Sequence, residues 1–343
     1  MIDSVIRVGV VGAGGNTKLH HIPKLQAIDG VEVVAVSNRS VASSEAVADE
    51  FGIDTVYGHW SELISDDSLD AIVIGTWPNL HARVTIAALE AGKHVLCEAR
   101  LARNVAEARR MISAAERQPQ LITQVVPSPF TLPLDATVSR LIGEGFLGDL
   151  VAVEITERSG FADPGAARTW RQDTEISGVN LMTLGIWYEP LLRWVGEASW
   201  VMAAGKIVNP RRPGTDGGFE TVDVPDHLDV IGALTCGAQL RIGISQVIGH
   251  APPNGIWLYG RDGTLRISDG GLFGGRRDDD QLSPIDIPDG IGWRVEEEFI
   301  GAIRGTEPIR RTTFADGLRY MIFTEAVWRS IRERRTVILS ELS

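Results

Sequence analysis

The chain has 343 residues, 44% of them hydrophobic, and a formal net charge of −12. That length is about twice a common single domain and buries a large core without disulfides or metal clips. The acidic balance argues against a nucleic-acid surface or an anionic membrane as partner, and no apolar run approaches the ~18 residues of a membrane helix.

The opening "MIDSVIRVGVVGAGG" carries an early acidic residue and runs straight into a glycine turn, which reads as a first β-strand and not a signal peptide. Gly12, Gly14 and Gly15 follow that strand and open a helix, with Asn16 and Thr17 next. Backbone N–H groups and a helix start of this kind hold a pyrophosphate. Thr17 stands at the third fingerprint position, where Gly or Ala is usual. "VEVVAV" (31–36) is a second buried strand at βαβ distance, ending in Ser37, Asn38 and Arg39. An acid there suits the ribose diol of NAD, whereas small polar groups plus an Arg suit a 2′-phosphate. The cofactor expectation is therefore NADP or NAD, leaning to NADP.

Alternation continues through a helix (41–51), a strand at "TVYG", a helix at 60–64, the strand "AIVIGT", a helix at 81–91 and the strand "HVLC". Such a run predicts a parallel sheet covered on both faces, with ligands at the carboxyl ends of its strands. Thr76, Trp77 and His81 lie at one such end, and Glu98, Ala99 and Arg100 at the next. A division at 1–123 and 124–343 follows from the change of character after "LITQVV". Beyond it come a helix (135–145), then "LVAVEIT", "WVMAAGKIV", "HLDVIGALT", "AQLRIGISQVI", "GIWLYG" and "GTLRIS", with a hairpin at Gly237. These predict a large, mostly antiparallel sheet, giving an α/β chain of a doubly wound parallel domain and an α+β domain. "NPRRPGTDGG" and "DGGLFGGRRDDDQ" read as loops, and two amphipathic helices close the chain. The paired arginines at 109–110, 211–212 and 310–311 are scattered and read as solvated faces. Cys97 and Cys236 read as buried, reduced thiols of a cytoplasmic protein.

Together, "GAGG…HIPKLQAIDGVEVVAV", "DAIVIGTWPNLHARVTIAALEAGKHVLCE", "LIGEGFLGDLVAVEI" and "SGVNLMTLGIWYEPLLRWVG" resemble the glucose–fructose oxidoreductase / inositol dehydrogenase / MocA family over nearly the whole chain. The resemblance implies a Rossmann domain and NAD(P)-linked oxidation or reduction of sugars, polyols or related hydroxy compounds. It also implies dimers or tetramers built through the second domain's sheet. It implies a Glu-Lys-Pro segment too, where this chain has Glu98, Ala99 and Arg100, and an Asp and a His where it has Thr183 and Trp187.

With those ionisable groups replaced, Tyr188 and His81 are the candidate proton-transfer residues, followed by Glu98, His20 and His21. A helix starting near Gly178 would put Asn180, Thr183 and Trp187 on one face as a substrate surface, with Glu189 opposite and paired to Arg193. Trp77, Arg100 and Arg171 complete the candidate substrate contacts. Gly12, Gly14, Gly15, Asn16, Thr17, Ser37, Asn38, Arg39, Thr76, Trp77, His81 and Glu98 form the candidate cofactor set. No metal is expected, because the His20-His21 pair has no third ligand at useful spacing. Two functions stand: an oxidoreductase with an atypical site, or a cofactor-binding sensor or regulator of the same fold without catalysis. A third, redox-neutral chemistry on a recycled nicotinamide, ranks behind both because it too requires a base.

Overall fold

The computed structural model describes residues 5–214, 217–268, 271–288 and 290–343. Strand β1 (Ile6–Val11) leads into a π-helical turn at Thr17–His21 that continues as α1 (Ile22–Gln26). Then follow β2 (Val31–Ser37), α2 (Val41–Phe51), β3 (Thr55–Val56), α3 (Trp60–Ile64), β4 (Ala71–Ile74), α4 (Pro78–Glu90), β5 (His94–Cys97), α5 (Val105–Glu116) and β6 (Thr123–Val125). The six strands form a parallel sheet in the order β3-β2-β1-β4-β5-β6. The apolar runs explain it. Val8, Val10, Ile72, Val73, Val95 and Leu96 are all buried, so both faces must be covered, and helices do so. Local signals start the helices. Ser40 accepts a hydrogen bond from the Ser43 amide at the head of α2, Asn104 does the same for Glu107 on α5, and Pro78 occupies the first turn of α4.

Next come α6 (Asp135–Gly143), β7 (Leu150–Arg158), α7 (Thr174–Ser177), α8 (Leu184–Trp194), β8 (Ala198–Lys206), β9 (Arg211–Pro213), β10 (Phe219–Thr221), β11 (His227–Leu234), β12 (Gln239–Ser245), β13 (Gly255–Gly260), β14 (Gly263–Ser268), β15 (Gly271–Arg276) and β16 (Ser283–Pro284). The chain closes with α9 (Val295–Ile303), α10 (Phe314–Glu333) and β17 (Val337–Ile338). A nine-stranded sheet runs β16-β15-β14-β13-β7-β12-β11-β8-β17, antiparallel except where β12 lies parallel to β7. Gly237 has φ 91° and turns the β11–β12 hairpin, which a glycine does without steric cost. On β11, Leu228 and Val230 are buried while Asp229 and Ile231 are exposed, so one sheet face is covered and the other open.

Several expectations change. The chain forms two compact units, and the first takes in Arg294–Met321 as well as Met1–Pro127, in place of a single cut at 123/124. The return segment is tied in by hydrogen bonds. Val125 N donates to Thr312 O at 3.3 Å, and Glu298 accepts from the amides of Arg310 and Arg311 at 2.7 and 3.1 Å. The remainder, Ser128–Trp293 with Ile322–Ser343, is the second unit. Part of "DGGLFGGRRDDDQ" is strand β15, and "NPRRPGTDGG" begins in strand β9; residues 215–216 and 269–270 of these stretches lie outside the described residues. Cys236 is exposed at the hairpin turn, so only Cys97 is buried. No described helix is long and apolar enough to cross a membrane.

Candidate functional site

In the first unit, the glycine turn at the end of β1 sits at the carboxyl edge of the parallel sheet. Gly12 has φ 86°, and a Cβ there would lie 2.6 Å from Thr76 Cγ2, so only glycine lets this turn approach β4 so closely. Thr17 is buried, with its hydroxyl 3.3 Å from Gly12 O. It packs on Gly75, where any side chain would collide with Thr17 Oγ1 and Gly12 O. The small residue that the fingerprint places on the helix is thus supplied from the facing strand end, and Thr17 braces the turn from inside. Gly14, Gly15 and Asn16 are exposed, and a side chain at Gly15 would meet nothing within 4 Å. The first N–H groups of a helix have no intrahelical acceptor, so this edge is a backbone donor surface open to an anion.

At the end of β2, Asn38 Oδ1 accepts from Ala13 N at 2.6 Å while its Nδ2 donates to Ser43 O at 3.0 Å. The Asn38 side chain is therefore committed to tying β2 to the turn. Ser37 is buried with its hydroxyl unpartnered, and the Arg39 guanidinium lies 5.9 Å from the exposed Trp77 ring. Open glycine backbone, an unsatisfied buried hydroxyl and a cation on an aromatic fit a dinucleotide laid across this edge.

His81 is fully buried. Its Nδ1 lies 2.9 Å from Arg100 O, and its Nε2 lies 2.9 Å from Thr76 O. Burial pushes its pKa down against the pull of those carbonyls and of Glu98. It bridges two loops through its one N–H, and full burial keeps it from presenting a base to solvent. Arg100, expected at the substrate, is buried too. The Ala99–Arg100 peptide is cis, and the next amide, Leu101 N, donates to Tyr320 Oη at 2.6 Å.

The residue that matters most here is His21, which sequence reasoning ranked last. It is fully buried between two carboxylates, with Nδ1 2.6 Å from Glu296 Oε1 and Nε2 3.0 Å from Glu98 Oε1. Burial opposes its charge, but the two acids more than offset this and raise its pKa to about 9. Glu98 is held below the usual carboxylate range: burial works against ionisation, and His21, Asn16 and the Ala99 amide overcome it. Asn16 Nδ2 donates to Glu98, so the cluster reaches directly into the glycine turn. Only Glu98 of the three shows any surface, with 14% of its side chain exposed. The π-helical turn at Thr17–His21 was the local irregularity to look for, since such turns collect at functional sites. Glu296 is 275 residues away in sequence, and no local pattern announces it.

In the second unit, the helix expected from Gly178 begins instead at Leu184. Gly178 and Met182 have φ of 67° and 45°, which break a right-handed helix between α7 and α8. Asn180 therefore lies in the connecting turn, buried, with Nδ2 on Ser177 O at 2.6 Å. Tyr188 is core. Its ring stacks on Phe323 at 3.6 Å between centroids, and its hydroxyl accepts from Ala198 N at 2.7 Å. Full burial removes it from the candidate acids. Arg171 is exposed over the Trp170 ring at 4.3 Å. Glu189 is buried, pairs with Arg193 and accepts from Ser128 N at 3.1 Å.

Thr183 and Trp187 do converge, on a carboxylate that the sequence did not single out. Thr183 Oγ1 and Trp187 Nε1 both donate to Glu157 Oε2, the latter at 2.7 Å. Glu157 has the same strand parity as Val153 and Ile155, both buried, so it points to the covered face at the end of β7. Phe130, 46% exposed, packs on Trp187 with ring centroids 4.9 Å apart.

A parallel sheet with a glycine turn at its carboxyl edge, joined to a separate sheet domain, defines a dinucleotide-binding two-domain protein. Family comparison agrees: residues 6–125 match the oxidoreductase family model with an NAD-binding Rossmann fold, and residues 136–266 match the GFO/IDH/MocA C-terminal domain. The chain belongs to the GFO/IDH/MocA oxidoreductase family. Among similar proteins are an uncharacterized oxidoreductase of Rhizobium meliloti, 31% identical over 53% of this chain, and a D-xylose 1-dehydrogenase (NADP(+)) of Haloferax volcanii, 34% identical over 52%. The chain spans about half the length of these two relatives, 54% and 53%. A solved levoglucosan dehydrogenase in complex with NADH and L-sorbose shares the fold, with a TM-score of 0.85 at 22% identity, covering 98% of this chain and 99% of the other.

Proposed function

We propose that this protein is an NAD(P)-dependent oxidoreductase acting on a sugar, polyol or related hydroxy compound. The observation that carries the reading is the open backbone of Gly15 and Asn16, just past the end of β1, with the acid cluster of Glu98 beside it. Those N–H groups would hold the pyrophosphate, and Ser37, Arg39 and Trp77 the adenosine end. When bound, the nicotinamide supplies a hydride acceptor or donor. Arg39 beside Trp77 supports NADP over NAD, since a guanidinium pairs with a 2′-phosphate and no acid stands at the end of β2 to take a ribose diol.

Relatives named for D-xylose and levoglucosan support a neutral, polyhydroxylated substrate. The open sheet face, with Met202 and Ile231 exposed, supports a homodimer or larger homo-oligomer, checked by light scattering of the purified chain. A reducing, cytoplasmic setting fits a chain whose cysteines are both free. A sensor or regulator is favoured by one feature only: Ala99, Thr183 and Trp187 stand where the family resemblance puts Lys, Asp and His.

The test is nicotinamide binding by quenching of tryptophan fluorescence, with NADH and NADPH in parallel, followed by turnover of D-xylose and levoglucosan. NADPH is expected to bind tighter, and Arg39→Ala to weaken NADPH about tenfold with NADH nearly unchanged. Binding of cofactor and sugar without turnover would favour the sensor. Failure of both nucleotides to bind below millimolar concentration would end the oxidoreductase reading.

A further inference from the structure

His21, Glu98 and Glu296 all belong to the first unit, and the geometry around the imidazole fixes its charge. Nδ1 faces Glu296 Oε1 at 2.6 Å, and Nε2 faces Glu98 Oε1 at 3.0 Å. An ionised carboxylate only accepts, and a neutral imidazole has a single N–H to give. Both contacts are hydrogen bonds only if the ring carries two protons, so the trio holds one positive and two negative charges. On the π-helical turn itself Thr17 and His21 are buried, while Lys18 and His20 are half-buried and Lys18 pairs with Glu50. On α9, Glu297 follows Glu296, and Glu298 is taken up by the amides of Arg310 and Arg311. His81, Cys97 and Tyr320 stand around Glu98, and burial keeps each in its neutral form. A fastener between the turn and α9 would end at His21 and Glu296. This one continues: Glu98 Oε1 also accepts from Asn16 Nδ2, and Oε2 accepts from Ala99 N at 3.0 Å. Asn16 is exposed on the glycine turn, next to the open backbone of Gly15. The buried ring is thus two hydrogen bonds from the anion edge.

When a proton leaves His21, a ring lone pair meets a carboxylate lone pair. Glu98 has surface and Glu296 has none, so Glu98 is the acid that can be displaced, and Asn16 then loses its anchor. The trio also passes from one net negative charge to two, beside an edge that has to receive a pyrophosphate. Resting on the nucleotide reading given above, we propose that His21 is a positioning residue for the dinucleotide: through Glu98 and Asn16 it fixes the edge at Gly15 and Asn16, and the chain binds the dinucleotide with the His21 proton in place. The two events are reciprocal. Whatever the proton adds to dinucleotide affinity, the dinucleotide adds to proton affinity. His21 is fully buried and acts only through Glu98.

The test measures NADH binding to the full chain by quenching of tryptophan fluorescence from about pH 7 to about pH 10, while NMR of isotope-labelled histidines follows the His21 ring. NADH is the probe because it has no 2′-phosphate to titrate near the neutral end. The range brackets the value of about 9 to which the two acids raise His21. A raised group keeps its proton on the acid side and loses it as pH climbs, so NADH affinity is expected to fall about fivefold towards the alkaline end. His21→Gln keeps a hydrogen-bonding side chain without the charge, and is expected to bind NADH about fivefold more weakly near neutrality, with a flat profile. Asn16→Ala, at an exposed position, is expected to weaken NADH about threefold while His21 still titrates. Saturating NADH is expected to move the His21 titration to higher pH. A wild-type affinity that stays constant over the range, or an equal fall in His21→Gln, overturns the role of His21 and leaves the oxidoreductase reading standing. Should His21→Gln not fold, the wild-type NMR titration decides, and a His21 signal that NADH does not move overturns the proposal. Failure of NADH and NADPH to bind at any pH removes the oxidoreductase reading and this role with it.

Discussion

Glu98 and Glu157 are both partly buried carboxylates at the ends of strands, one in each unit, and the chain surrounds them differently. Glu98 faces a fully buried histidine that is itself shared with Glu296. Three ionisable groups there satisfy one another, with one positive charge between two negative ones. Among the described residues, Glu157 is met by a hydroxyl and an indole, both on a single oxygen. The first arrangement is closed and fixes the geometry beside the glycine turn. The second is half-buried at the end of β7, held on one oxygen by two neutral donors. The contrast also shows why counting ionisable residues at family positions misleads: the second unit has no charged group at 183 or 187, yet both positions converge on one.

Breaking the closed cluster should have the largest effect. His21→Ala removes the buried ring that Glu98 and Glu296 share, which is expected to cost about 3–5 kcal/mol. Urea unfolding of the full chain checks this, and a loss under 1 kcal/mol would mean that the cluster is not the charged lock described. The same lock sets a pH dependence. His21 has its pKa raised from 6.5 to about 9, so its contribution is complete below 6.5 and disappears as pH climbs through about 9. Glu98 is shifted the other way from 4.5, so its contribution is complete above that value and is lost as pH falls through its depressed pKa. The stability gap between wild type and His21→Gln should therefore be widest between pH 4.5 and 6.5 and narrow towards pH 9. Its size is bounded by roughly 3 kcal/mol for a shift of this order. A gap that grows with alkalinity would reverse the assignment of charge on His21. The smallest effect belongs to the open carboxylate. Trp187→Phe removes one donor from Glu157 but leaves Thr183 and solvent, so a loss of about 1 kcal/mol is expected in the same unfolding assay. If this variant were as damaging as His21→Ala, Glu157 would be a structural fastener and the contrast would collapse.

Legibility varied with the distance over which the physics acts. The alternation of buried strands with helices over residues 6–125, and the glycines at the end of β1, were readable because each is a local pattern. So was the Glu189–Arg193 pair, four residues apart on one helix. The start of α8 was misread because Gly178 and Met182 adopt positive φ, and nothing in the spacing of apolar residues reports a backbone reversal. Tyr188 looked like an available acid because helical geometry places it near Trp187 without saying what packs over it; Phe323, far along the chain, does.

The amino-acid sequence by itself determined the class of fold, the nucleotide edge and the family, because apolar periodicity and glycine turns act within a few residues. It also determined that the residues at 99, 183 and 187 carry no ionisable group. Only the tertiary structure decided which charged groups are brought to which partners within each unit. His21 meets Glu296 and Glu98, and Thr183 and Trp187 meet Glu157, across separations of 26 to 275 residues. Electrostatics and hydrogen bonding depend on distance in space, and folding sets that distance with no trace in local sequence.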